Sequence, residues 1–196
     1  MNHTTKNRRS RRGSALVEMT LVGIPIIFVL ISVFEISRGM WIYHTSAYAA
    51  KVGARFASVH GINCIQTSGI FNNCPKTIAQ VTAVIRAAAY GLPSTTTMLT
   101  FTPGATSATA TSCYMGSSSA TTVAGPYGSL VGCLSLTTDP WPFNDFSGTL
   151  NGVGKKIRID IKTPFKSAVG MFWPGVGSTK FASTDLGGSS IDYIQF

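Results

Sequence analysis

Few residues in this chain could do chemistry, and the most unusual of them is a carboxylate. Glu18 is the only ionisable side chain in the apolar run SALVEMTLVGIPIIFVLISVF, residues 14–34. Ahead of that run stand Lys6, Arg8, Arg9, Arg11, Arg12 and then Gly13, with no acid among them. A charge within hydrocarbon costs about 2.5–3.5 kcal/mol on insertion scales unless it is paired, so such a residue is functional by default. A plainer reading has Glu18 reach the interface or favour the N-terminus of its own helix. The other chemical groups are sparse. Of the three histidines, His3 lies in the basic opening, and His44 and His60 follow the apolar run. No CxxC occurs and neither His44 nor His60 adjoins a cysteine pair, so no metal site is read. GxSxG, HExxH, Walker and glycine-rich nucleotide signatures are also missing from the sequence. The expectation is a non-enzyme with no catalytic residue and no cofactor.

The elements that must position Glu18 follow from composition. A length of 196 residues allows one domain with an appended anchor. The net charge of +9 raises nucleic-acid binding, but its distribution argues against it. Five of the sixteen bases precede the apolar run; without residues 1–13, eleven bases would face seven acids. Lys155, Lys156 and Arg158 form a second, small cluster, read as the solvated face of a strand. The run of residues 14–34 matches the ~20 residues a helix needs to cross a bilayer. Its basic flank places the N-terminus in the cytoplasm and the remainder across the membrane. No small-x-small site closes the run, so a cleaved signal peptide is disfavoured.

Pro25 sits within the span and predicts a kink or a loosened turn, because it removes one helix hydrogen bond. Beyond the span Ile36, Met40, Tyr43, Ala47, Ala50, Ala54 and Ala57 recur at spacings of four and three. That narrow stripe predicts one continuous packing face. A single helix of ~45 residues, on the order of 65 Å long, would run from the membrane into a domain and end near residue 60.

Residues 62–196 read as that domain. Cys64, Cys74, Cys113 and Cys133 are an even set in a compartment where disulfides persist. Of three connectivities, sequence proximity favours Cys64–Cys74 and Cys113–Cys133. KTIAQVTAVIRAAAYG places Ile78, Val81, Ile85 and Ala88 or Ala89 on one helical face, with Pro75 and Gly91 as its boundaries. Residues 94–125 are rich in Thr, Ser, Ala and Gly, which suits small-residue β-structure or a surface loop equally. TDPWPFNDF, residues 138–146, is a rigid loop. Its Trp141, Phe143 and Phe146 either cover the core or form a recognition surface. KKIRIDIKTPF alternates Ile157, Ile159 and Ile161 against Arg158, Asp160 and Lys162, the pattern of a half-buried strand. SSIDYIQF predicts a final strand, with GMFWPGVG as a turn region between them. The fold class expected is α+β: a long N-terminal helix, then a small disulfide-bonded domain with a second helix and an antiparallel sheet.

The opening RRGSALVEMTLVGIP and the later FEISRGMWIYHTSAYAAKVGARFASVHG together resemble the TadE-like minor pseudopilins of tight-adherence (Tad) pili. Their N-terminus is of the type IV pilin kind. The resemblance covers residues 11–61, and Met19 departs from it where the family usually has an aromatic residue. IRIDIKTPF is weakly similar to a family strand. The resemblance implies that a prepilin peptidase cuts between Gly13 and Ser14, removing residues 1–13 as a leader. It implies that Glu18, then the fifth residue, pairs with the terminal amine of a neighbouring subunit. It implies other pilins or pseudopilins and the inner-membrane Tad assembly platform as partners. Localisation would be the bacterial inner membrane, single-pass with the domain periplasmic, and then the pilus. The alternative is an uncleaved single-pass protein carrying a periplasmic binding module.

Overall fold

The computed structural model describes residues 10–60, 76–104, 110–139, 141, 154–167 and 184–195. Helix α1 spans Ser10–Ser58, 49 residues, with Pro25 inside it. It begins ahead of the expected boundary at Ser14, since nothing between Ser10 and Gly13 forbids the helical conformation. Hydroxyls along α1 turn back onto their own helix: Thr20 donates to the Val17 carbonyl, Ser32 to Phe28 and Ser37 to Val33, at 2.8–2.9 Å. Such bonds satisfy polar groups that an apolar environment cannot.

Helix α2, Ile78–Ala88, opens with a capping box in which Thr77 and Gln80 exchange side-chain-to-backbone bonds of 3.3 and 3.1 Å. The expected face is the buried one, with Ala89 rather than Ala88 completing it beside Ile78, Val81 and Ile85. Among the described residues six strands follow: β1 Met98–Pro103, β2 Thr111–Tyr114, β3 Val123–Gly125, β4 Gly128–Leu130, β5 Lys156–Phe165 and β6 Thr184–Tyr193. The main sheet is antiparallel in the order β2-β1-β5-β6, and β3–β4 is a separate hairpin. Residues 94–125 thus combine both readings: their described part holds the three short strands β1, β2 and β3, with a turn at 115–116 after β2. The last strand extends further back than SSIDYIQF, because Thr184 to Ser189 pair with Phe165 to Asp160.

Alternation in β5 decides the layering. Ile157, Ile159 and Ile161 are buried with Leu99 and Phe101 of β1, and the α1 residues Ala49, Ala50, Ala54 and Ala57 join the same core. Cys113 and Cys133 form a disulfide closing a separation of 20 residues. Cys64 and Cys74, Phe143 and Phe146, and the GMFWPGVG turn lie outside the described residues.

The stripe on α1 needs correction. Ala50, Ala54 and Ala57 are buried, but Ile36, Met40 and Tyr43 are 67%, 53% and 50% exposed. The packed face instead runs through Gly39, Ile42, Ser46, Ala49 and Gly53 to Ala57, where close approach rather than apolarity governs contact. A β-carbon at Gly53 would overlap Ile85, and one at Gly188 would overlap the backbone of Ala47. Glycine there lets α2 and β6 lie directly on α1. The signal was present in the sequence as Gly39, Ser46 and Gly53, small residues seven apart on one side of a helix.

Candidate functional site

Gly13, Ser14, Glu18 and Pro25 all lie on the half of α1 that the described part of the domain leaves bare. None of residues 13–34 is buried, and nothing approaches the β-position of Gly13 or Gly23 within 4 Å. Ser14 and Glu18 stand one turn apart, about 6 Å along the axis at 1.5 Å per residue. Glu18 is exposed and has no hydrogen bond or ion pair among the described residues. The peptide bond after Gly13 lies in the first turns of α1. The stretch from Gly13 is long and apolar enough to cross a membrane, with a mean hydropathy of 2.4 in a window that has no buried residue. Pro25 interrupts its hydrogen-bond ladder without ending it.

The domain grips the remainder of α1 in a definite direction. Phe165 lies against Arg38, with the guanidinium carbon 5.3 Å from the ring centre. Leu186 Cδ1 is 3.7 Å from the β-position of Gly39. At the other end, the Gln195 amide donates to the Ser58 carbonyl at 2.9 Å, satisfying an acceptor that the helix end leaves open. Strand β6 therefore runs alongside α1 in the same sense. Strand β5 and α2 run back, since Ile159 and Ile85 both meet Gly53 while Phe165 and Gly91 lie beside Arg38 and Trp41.

Other candidate groups are structural in the fold. Trp141 is 1% exposed and meets Phe101 edge-on at 5.1 Å, so this loop residue covers the core. Its amide donates to the Lys76 carbonyl at 2.8 Å, and the Ile78 amide to Asp139 at 3.0 Å, fastening the loop to the start of α2. The basic cluster is a solvated strand face: Arg158 pairs with Asp160 at 2.8 Å and Lys156 lies 5.8 Å from the Tyr193 ring centre. His60 donates from Nδ1 to the Phe56 carbonyl, 2.6 Å away, and packs on the Phe56 ring. Tyr127 donates to Asp185 at 3.0 Å, tying the β3–β4 hairpin to β6. Burial, and then that carboxylate, push the Tyr127 phenol pKa up. A cavity of about 580 Å³ between α1 and β6 is lined by Lys51, Arg55, Asp192 and Gln195. Among the described residues no three His, Cys, Asp or Glu side chains gather as metal ligands would.

These features define a class: a long apolar N-terminal helix, of membrane-crossing length, that carries a small disulfide-bonded α+β domain. Residues 13–55 match the family described as TadE-like protein, and over that segment the chain is similar to that family. That match spans α1 from the candidate cleavage site almost to its end and points to a component associated with Tad pilus machinery. No curated protein and no solved structure matches the chain.

Proposed function

We propose that the chain is a minor pseudopilin of a Tad-type pilus, a structural subunit with no catalysis of its own. A prepilin peptidase cuts between Gly13 and Ser14. The chain then sits in the inner membrane as a single-pass protein with its domain periplasmic, and helps to initiate or tip a filament used in adhesion or secretion. The observation that carries this reading is the coincidence of the TadE-like match with a helix whose first half has no packing partner among the described residues. Glu18 then waits in lipid for the new Ser14 amine of a neighbour, which favours the filament over the bilayer because pairing removes the cost of an isolated charge. Ile36, Met40 and Tyr43, exposed beyond the span, extend the surface that neighbouring helices can cover.

Intact mass of the membrane-extracted protein tests the processing step. Loss of residues 1–13 is expected, whereas a full-length chain favours the alternative, an uncleaved anchor with a periplasmic binding module. Glu18→Ala should insert in the membrane normally and be lost from filaments; normal incorporation would overturn the pairing role.

A further inference from the structure

We infer that the end of the domain beside Trp41 and Tyr90 rests on the phospholipid headgroups of the membrane that α1 crosses. This rests on the reading that α1 spans the bilayer with the domain beyond it. The apolar run ends at Phe34, and Trp41 lies seven residues on, about 10 Å further along the axis. A bilayer of about 30 Å hydrocarbon and 40–45 Å overall leaves roughly 5–8 Å of headgroups on each side. Helical side chains lean toward the N-terminus, which here is the membrane, so the Trp41 side chain is drawn from its backbone back toward that layer.

The domain begins at the same level, without a spacer. Phe165 and Leu186 already touch α1 at Arg38 and Gly39. Because α2 runs back along α1, its C-terminal loop is brought to Trp41, whose indole nitrogen is 3.3 Å from the β-position of Gly91. Next to Gly91 stands Tyr90, 81% exposed, and Trp41 itself is 58% exposed. Two residues with aromatic rings and polar tips, 49 apart in sequence, therefore stand at one end of the domain, about two helical turns beyond the end of the apolar run. Tryptophan and tyrosine are enriched at that depth because an apolar ring and a hydrogen-bonding tip suit the boundary. Arg38 lies against Phe165 at this end and Lys166 follows that residue in the chain, cations for lipid phosphates, while Glu35 precedes Arg38 by three residues and Asp185 pairs with Pro164. This mixed charge suits zwitterionic as well as anionic headgroups.

The full chain in phosphatidylcholine–phosphatidylglycerol vesicles, doped with a phospholipid photoreactive near its glycerol, provides the test through peptide mapping of lipid adducts. Adducts are expected in the span and on residues 36–41 and 89–93, and to be lost from residues 76–82 and 154–158 at the far end. Adducts in the span without any on 89–93 overturn the lipid contact and leave the anchor standing. A span without adducts removes the anchor, and the proposal with it. Equal labelling of 89–93 and 154–158 also overturns it, as does a segment 89–93 left unlabelled in vesicles but shielded from hydrogen exchange in filaments, which would make the aromatic pair a subunit contact.

Discussion

Helix α1 is one element with two unlike halves. From Gly13 to Trp41 most of its large side chains are exposed, Leu16, Met19, Leu21 and Phe34 by 67–75%, while from Ile42 to Ser58 one face is closed against α2, β5 and β6. The exposed half is the more apolar, and the packed half is rich in Ala. Hydrophobicity alone thus marks the part that needs a second environment, lipid or neighbouring helices. Small side chains mark the part that a domain has already taken, since they let backbones approach and dispersion contacts accumulate.

This contrast can be broken first in the core. Ile159→Ala, at a fully buried position against Gly53, should cost about 2–5 kcal/mol, read as a drop in thermal midpoint of the domain. The matching change on the bare half, Ile27→Ala, should leave that midpoint unchanged, because Ile27 is 58% exposed. Equal losses from both would mean that the two halves unfold as one unit. A glycine pair sharpens the comparison. Gly53→Ala forces Ile85 aside and should destabilise the domain by about 1–3 kcal/mol in denaturant titration. Gly23→Ala meets open space and should leave the domain midpoint unmoved. The smallest effect belongs to the junction. Arg38→Ala removes an exposed cation–ring contact with Phe165, and a loss of about 0.5–1 kcal/mol is expected in the same titration.

Much of this was legible because it rests on local periodicity. The alternation of β5, the face of α2 and the length of α1 each follow from side-chain spacing within one element, and the structure has them so. The face that α1 turns to the domain was misread. Ile36, Met40 and Tyr43 carry the stronger apolar signal, yet contact went to Gly39, Ser46 and Gly53, whose value lies in what they lack. Trp141 was open between core and recognition, and only the position of Phe101 made it core.

By itself, then, the sequence determined the apolar span, the lone carboxylate at Glu18 after a basic opening, and the strands and helices whose patterns are local. Only the tertiary structure closed the Cys113–Cys133 bond that proximity favoured, chose which side of α1 is covered, and brought Gly91 against Trp41. The physical reason is that periodicity reports which side of an element prefers to leave water. Which surfaces then meet depends on shape and on the direction of the chain, and these exist only once the elements have packed.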